Sequence, residues 1–142
     1  MIDIRTLQPQ EVAKAQAFYK TQNYLTSIQA NDIVLVAEKG DRFVGIVRLC
    51  PEENFLVLRG MFVDLPYYQR KGIGKQMLQS LASLFGAQEV YCLPYDHLQD
   101  FYGVIGFKKI NAADAPTVMR DRLQKYSKRF DGLILMKRTA VG

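Results

Sequence analysis

The chain has 142 residues, of which 49% are hydrophobic and 23% are charged, as in an ordinary globular protein. One histidine and two cysteines exclude a zinc site of the usual Cys and His kind, so we expect no metal. The net charge of +5 comes from residues 117–142, which carry seven basic and two acidic side chains, whereas residues 1–116 are neutral. Binding of an acidic ligand is therefore expected to involve the C-terminal segment first.

The length suits a single domain over residues 1–142, large enough to bury a core without disulfides. Cys50 and Cys92 show no CxxC spacing, which favours a reducing compartment. No apolar run approaches the roughly 20 residues of a membrane span, and the N-terminus lacks the pattern of a signal peptide. We therefore expect a cytoplasmic protein that does not contact a membrane.

The hydrophobic pattern of the first half predicts a strand over 2–6 and a helix over 11–19 that is entered through Pro9. Residues 20–31 are polar, and a short second helix is expected there. Three strands follow over 33–38, 42–50 and 54–63. Gly60 interrupts the last of these, which predicts a bulge or the close approach of another group.

The second half predicts a helix over 73–85, a strand over 89–93 and, after a capping box from Asp96 to Gln99, a helix over 98–104. A strand over 107–110, a helix from 116 to 128 and a strand over 133–138 complete the chain. The strand–helix–strand order in the middle predicts a parallel crossover. The expected fold class is α+β with α/β-type layering, in which about four helices flank a mixed, mostly antiparallel sheet of about seven strands.

The loop before the 73–85 helix has the composition of an anion site. Gly72 and Gly74 let backbone N–H groups approach a ligand, and the following helix adds its N-terminal donors. Three cations, Arg70, Lys71 and Lys75, surround the same turn. These features suit a pyrophosphate, although a plain helix start has the same local pattern.

The common nucleotide-binding loops do not fit this segment. Gln76 stands where a Walker A loop needs Ser or Thr, and Met77 stands where a dinucleotide fingerprint needs a small residue. The segment Gln69-Arg-Lys-Gly-Ile-Gly74 instead resembles the Gln/Arg-x-x-Gly-x-Gly/Ala motif of the GNAT superfamily of N-acetyltransferases. Downstream, Phe101-Tyr-Gly-Val-Ile-Gly-Phe107 resembles the aromatic-Tyr-x-x-x-Gly-Phe pattern of that family. The resemblance covers residues 33–110 well, and beyond them it extends to element order alone.

The resemblance implies that acetyl-CoA lies where two parallel strands, 56–63 and 89–93, splay apart. Backbone N–H groups of the Gly loop would hold its pyrophosphate, and the pantetheine arm would run beside the end of the first strand. A backbone donor near Gly60 would meet the thioester carbonyl. The implied cofactor-binding residues are Met61, Phe62, Val63, Arg70, Lys71, Gly72, Ile73, Gly74 and Lys75.

Tyr102 matches the general acid of the family, which protonates the departing CoA thiolate. Thiolate is a good leaving group, so a phenol with an ordinary pKa is expected to suffice. On the residues alone, Tyr102 could equally pack beside Phe101 on a short helix.

A general base is less evident. Many relatives carry a Glu on the strand before the Gly loop, but residues 55–63 hold no acid and Arg59 is their one charge. Glu52 and Glu53 lie in the preceding turn, and His97 follows the second strand. Water-relayed deprotonation is the interpretation we favour. Cys92, a strand cysteine, is given no part in the reaction.

Residues 119–129 predict an amphipathic helix that packs its apolar edge on the sheet and exposes a basic face. In the family, this connection helps to form the acceptor site, so Arg120 or Arg122 could meet an acidic acceptor or a CoA phosphate. Arg48, Arg59 and Tyr91 could also face the acceptor or lie on the surface.

The sequence thus predicts an acetyl-CoA-dependent N-acetyltransferase that acts directly on a primary amine of a small molecule or peptide. An acidic acceptor and a homodimer both stay open. The alternatives are a non-catalytic acyl-CoA-binding module and, less favoured because aromatic residues are sparse on the basic helix, a nucleic-acid-binding domain.

Overall fold

The computed structural model describes residues 1–64 and 72–139, and these ranges contain seven strands and four α-helices. The strands are β1 (Asp3–Thr6), β2 (Ile33–Lys39), β3 (Arg42–Pro51), β4 (Leu56–Val63), β5 (Val90–Cys92), β6 (Lys108–Lys109) and β7 (Met136–Arg138). The helices are α1 (Val12–Thr21), α2 (Ile73–Ala82), α3 (Gln99–Gly103) and α4 (Thr117–Ser127). Short 3-10 turns precede α1, α3 and α4.

The strands form one mixed sheet in the order β1-β2-β3-β4-β5-β7-β6. Strand β4 pairs with β5 in parallel, with Leu56 opposite Val90 and Val57 opposite Tyr91. The pairs β1–β2, β2–β3, β5–β7 and β7–β6 are antiparallel. The predicted fold class is therefore confirmed, including the central parallel pair that follows from the crossover through α2.

The chain forms two compact units, of which the first comprises Met1–Pro51 and Leu58–Leu84. Its core lies between the apolar stripe of α1 and strands β2 and β3, and it contains Ala15, Phe18, Tyr19, Val34, Val36, Phe43 and Ile46. Helix α2 packs on β2 and β3. Gly45 makes room for it, because a Cβ at that position would lie 2.8 Å from the sulfur of Met77.

The second unit comprises Glu52–Val57 and Phe85–Gly142. Its core joins the start of β4, strand β5 and helix α4 through Phe55, Val57, Tyr91, Ala115, Met119 and Leu135. The apolar edge of α4 enters this core through Met119, which is fully buried, and Leu123. This confirms the predicted amphipathic packing of the basic helix.

The prediction of a short helix within 20–31 is wrong. Helix α1 ends at Thr21, and Asn23 turns the chain with a φ of 57°. The backbone of the next residues is held by side chains instead, because the Gln16 amide donates to Thr26 O and accepts from Ile28 N. A polar segment whose backbone groups are satisfied in this way does not need helical hydrogen bonds.

The helix predicted over 98–104 is confirmed as α3, but the predicted capping box at Asp96 does not open it directly. Asp96–Leu98 is a 3-10 turn, and α3 begins at Gln99. Two strands are also shorter than predicted, since β6 holds two residues and β7 begins at Met136. Leu133, at the start of the predicted last strand, makes an isolated bridge to Tyr95. In the described ranges, no helix combines the length and apolarity needed to cross a bilayer.

Candidate functional site

The first group of predicted site residues lies at the end of β4. Met61, Phe62 and Val63 are half-buried there. Asp64 fixes the end of the strand, because its N–H donates to Val44 O at 2.8 Å and its carboxylate pairs with Arg42 at 2.6 Å. These two contacts hold the end of β4 in place.

Gly60 interrupts β4 for a local steric reason. Its φ is +62°, a region that favours glycine, and a Cβ there would lie 2.5 Å from the hydroxyl oxygen of Tyr19. The Tyr19 hydroxyl donates a hydrogen bond to Gly60 O at 2.9 Å. The predicted close approach is thus confirmed, and α1 makes it. The oxyanion donor that the family resemblance implies near Gly60 stays a prediction.

The second group lies on the first turn of α2. Gly72 precedes the helix with a φ of +78°, and among the described residues no side-chain hydrogen bond caps this end. Apart from its chain neighbours, no heavy atom of the described residues lies within 4 Å of where a Gly72 Cβ would stand, so no described side chain covers the backbone on that side. The first turn holds no acid, Ile73 is buried and Lys75 is exposed. The N-terminal partial charge of α2 is therefore not offset locally. Arg70 and Lys71 lie outside the described residues.

Tyr102 lies on α3 in the second unit and is 7% exposed. Its ring packs edge-on against Phe101 at 5.1 Å and Phe107 at 6.1 Å. Gly106, with a φ of +96°, turns the chain so that Phe107 folds back onto this ring. The aromatic residues of the motif, Phe101, Tyr102 and Phe107, thus form one cluster in which the Tyr102 ring is packed on two sides.

Burial raises the pKa of the Tyr102 phenol well above its usual range, and the neighbouring Cys92 adds to this. The Tyr102 phenol therefore differs from the phenol of ordinary pKa that would suffice for the acid role. The reason is that only 7% of the residue meets solvent, which penalises the phenolate. The phenol stays protonated throughout the neutral and moderately alkaline range.

The candidate bases have other surroundings. The ring of His97 is exposed and stacks on Tyr95 with centroids 5.8 Å apart. The Glu52 carboxylate pairs with Arg122, and Glu53 is exposed. These contacts do not support a role as general base for His97, Glu52 or Glu53.

Arg48 has the most unusual surroundings in the first unit. It is 1% exposed, so the surface alternative is wrong for it, and its Nη1 lies 3.1 Å from the equally buried carboxylate of Asp32. Sequence reasoning missed Asp32, Tyr19 and Tyr24. The sequence held a signal for the Arg48–Asp32 pair, because a buried arginine needs an acidic partner and Asp32 is the one acid among residues 12–37.

The other candidate residues, Tyr91, Arg59, Cys92 and Arg120, differ in their exposure to solvent. Tyr91 is 3% exposed and packs edge-on against Phe55 at 5.2 Å, whereas Arg59 is half-buried. Cys92 is 2% exposed, and burial raises its thiol pKa. This suits an unreactive core cysteine. On α4, Arg120 is exposed and donates to Thr117.

Comparison with known proteins identifies relatives. A family model described as an acetyltransferase (GNAT) domain matches residues 3–119. No curated protein sequence matches the chain. Three solved structures share its fold at 14–16% identity.

The first is N-acetylglutamate synthase from Neisseria gonorrhoeae, complexed with coenzyme A and N-acetyl-glutamate. It shares 14% identity with a TM-score of 0.72, and the match covers 100% of this chain but 36% of the synthase. The ribosomal-protein-S18-alanine N-acetyltransferase of Escherichia coli shares 16% identity with a TM-score of 0.69, covering 100% of this chain and 97% of that one. The PaiA N-acetyltransferase of Thermoplasma acidophilum, in complex with coenzyme A, shares 15% identity with a TM-score of 0.63. The match covers 98% of this chain and 99% of that one.

Proposed function

Because the chain belongs to the GNAT family of acetyltransferases, we propose that it moves an acetyl group from acetyl-CoA directly onto a primary amine. The family match over residues 3–119 carries this proposal. Structural neighbours crystallised with coenzyme A support the choice of an acyl-CoA as donor. The amine belongs to a small molecule or a peptide.

In this proposal, the first turn of α2 holds the pyrophosphate of acetyl-CoA. Gly72, Ile73, Gly74 and Lys75 donate backbone N–H groups, and the loop residues Arg70 and Lys71 do the same from outside the described ranges. The uncapped helix end and the open side of Gly72 support this role. Met61, Phe62 and Val63 run beside the pantetheine arm, which adds a strand-like partner to β4.

The acceptor amine, once deprotonated to water, attacks the thioester carbonyl and forms a tetrahedral intermediate. A backbone N–H near Gly60 stabilises its oxyanion. The C–S bond then breaks, the electron pair leaves on sulfur, and the Tyr102 hydroxyl gives the thiolate its proton. The former amine nitrogen loses its extra proton to water, and water returns a proton to the Tyr102 phenolate. No side chain needs to form a covalent bond with the acetyl group, so Cys92 takes no part.

The raised pKa of Tyr102 is compatible with this acid role. A phenol well above its usual pKa is a weak acid toward a solvated thiolate. A thiolate that forms beside the buried Tyr102 side chain shares its apolar surroundings, and such surroundings raise the pKa of the conjugate thiol. The raised pKa keeps the Tyr102 phenol protonated in the neutral and moderately alkaline range, in which the fraction of free amine increases.

The test is release of CoA from acetyl-CoA with a panel of primary amines, together with Tyr102→Phe. We expect Tyr102→Phe to lower kcat by about 100-fold, at the low end for a general acid because thiolate leaves easily. Tyr95→Phe is the matched control, since this tyrosine of the same unit is 38% exposed and should retain activity. Wild-type kcat should show no alkaline decline up to about pH 10.

One result would contradict the transferase function, and another would contradict the role of Tyr102. Stabilisation by acetyl-CoA without CoA release for any amine would indicate a non-catalytic acyl-CoA-binding module. Unchanged turnover of Tyr102→Phe across the pH range would remove Tyr102 from the acid role while leaving the transferase activity in place.

A further inference from the structure

Tyr19 on α1 is a fully buried tyrosine whose hydroxyl reaches the backbone of β4. The hydroxyl donates to Gly60 O at 2.9 Å. The Tyr19 ring packs on those of Tyr24 and Phe62, with centroids 5.0 and 6.1 Å away, and the guanidinium carbon of Arg48 lies 5.5 Å from its centroid. A ring held on several sides in this way keeps its hydroxyl in one place.

The direction of the backbone N–H groups changes along β4. The Leu56 N–H donates to Glu89 O, which directly precedes β5, whereas the Asp64 N–H donates to Val44 O on β3. Leu56 and Asp64 are eight residues apart, and in a regular strand an even separation directs both N–H groups to the same neighbouring strand. A one-residue irregularity therefore lies between them, and Gly60, with a φ of +62°, stands in that interval.

The N–H of Met61, which follows the irregularity, points away from β3. Counting back from Asp64, whose N–H faces β3, the alternation along a strand directs the Met61 N–H to the opposite edge of β4. The Gly60 carbonyl and the Met61 N–H belong to one planar trans peptide, so they point in opposite directions. The hydrogen bond from Tyr19 to Gly60 O therefore also fixes the direction of the Met61 N–H.

The Tyr19 hydroxyl is a constant donor in this arrangement. Burial raises the pKa of its phenol well above the usual range, so it stays protonated at neutral and moderately alkaline pH. In the proposed function, a backbone N–H near Gly60 stabilises the oxyanion, and such a donor acts only when it is aimed at the position that the oxyanion will occupy. A misplacement of about 1 Å at a reacting centre can cost about 100-fold in rate.

We propose that Tyr19 is a positioning residue for acetyl transfer, which holds the Gly60 carbonyl so that the Met61 N–H is aimed at the thioester carbonyl of acetyl-CoA. The inference rests on the proposed function and deepens it. It names the backbone donor, and it assigns the control of that donor to a side chain of α1 that touches neither acetyl-CoA nor the amine.

The first experiment measures CoA release by Tyr19→Phe with the amine of the panel that reacts best. This variant removes the hydroxyl and keeps the ring, so the aromatic packing is retained. We expect kcat to fall about tenfold or more, because the donor is no longer held toward the oxyanion. The KM of acetyl-CoA should change by less than about twofold, because the lost stabilisation belongs to the transition state.

Val36→Ala is the matched control for a loss of stability. Val36 is fully buried in the same core as Tyr19, but it lies on β2, which β3 separates from β4. Both variants should lower the melting temperature, and Val36→Ala should keep kcat within about twofold of wild type. A fall in kcat that accompanies destabilisation in general would therefore appear in both variants.

The second experiment observes the donor itself and needs no amine. Protein labelled with nitrogen-15 methionine gives an amide signal for Met61, which Met61→Leu identifies by its disappearance. CoA lacks the thioester carbonyl, so the difference between the Met61 signal with acetyl-CoA and with CoA reports the hydrogen bond to that carbonyl. We expect a downfield difference in wild type and in Val36→Ala, and we expect Tyr19→Phe to lose most of it.

The outcomes separate this role from the proposed function. An unchanged kcat, a raised KM of acetyl-CoA with kcat retained, or an undiminished Met61 difference in Tyr19→Phe would overturn the role of Tyr19 alone. If no amine is acetylated but the Met61 signals behave as expected, the transferase function fails and the positioning by Tyr19 stands. If acetyl-CoA and CoA give the same Met61 signal in wild type, the Met61 donor fails, and the role of Tyr19 fails with it.

Discussion

Replacing Gly60 with alanine tests how tightly α1 and β4 meet. The new Cβ would stand 2.5 Å from the Tyr19 hydroxyl oxygen and 3.0 Å from its Cζ, and the φ of +62° is unfavourable for alanine. The Tyr19 ring cannot retreat easily, because the residue is fully buried and its ring packs on Tyr24 and Phe62. We therefore expect a strongly destabilised protein.

The free energy of unfolding should fall by about 3–5 kcal/mol. The left-handed backbone contributes roughly 1–2 kcal/mol, the broken Tyr19–Gly60 hydrogen bond about 1 kcal/mol, and the displaced ring about 1–2 kcal/mol. At roughly 3 °C per kcal/mol for a protein of this size, the melting temperature should drop by about 9–15 °C.

Gly40→Ala is the matched control, measured by urea and thermal unfolding followed by circular dichroism. Gly40 also has a φ of +62°, but apart from its chain neighbours no heavy atom in the described part of the chain lies within 4 Å of its would-be Cβ, so the variant carries the backbone strain alone. Tyr19→Phe removes the atom at 2.5 Å, so Gly60→Ala should cost about 1–2 kcal/mol less in that background. Equal losses for Gly40→Ala and Gly60→Ala, or strict additivity with Tyr19→Phe, would refute this reasoning.

Two further predictions concern stability elsewhere in the chain. Met119→Ala should lower the unfolding free energy by about 2–5 kcal/mol, because Met119 is fully buried in the second unit, whereas Val118→Ala, at a side chain 40% exposed, should change it by less than about 1 kcal/mol. Hydrogen bonds from Arg5 lower the pKa of Glu11 from 4.5 to about 2, so its contribution is complete above the higher value and is lost as the pH falls toward the lower one. Glu11→Gln should therefore flatten acid unfolding between those values, and Glu53→Gln, at an exposed side chain, should not; an unchanged slope for Glu11→Gln would contradict the assignment.

Periodicity and turn residues predicted most of the fold because they report local preferences. The order of strands and helices, the stripe of α1 and the crossover through α2 all follow from spacing and glycine positions. Periodicity could not predict the irregular segment over 22–32, because its backbone partners come from Gln16 and Arg48. Likewise, Asp96 has the pattern of a helix cap, but a 3-10 turn intervenes before α3.

The residues of the candidate site also fall into two groups, those that sequence motifs indicate and those that only the folded chain brings together. Gly72, Gly74 and Tyr102 stand in motifs and were recognisable from the sequence. Arg48 and Asp32 are 16 residues apart, and their pairing depends on β3 lying beneath the irregular segment. The raised pKa of Tyr102 arises from burial by Phe101 and Phe107, which spacing does not report.

The irregular segment over 22–32 has a consequence for protein engineering. Its backbone is anchored at Thr26 O, Ser27 O and Ile28 N by two side chains that belong to other elements, Gln16 on α1 and Arg48 on β3. The segment is therefore not a self-contained module. A chimera that exchanges it with another member of the GNAT family must transplant residues 16 and 48 with it, or the grafted loop loses the anchors that give it a shape.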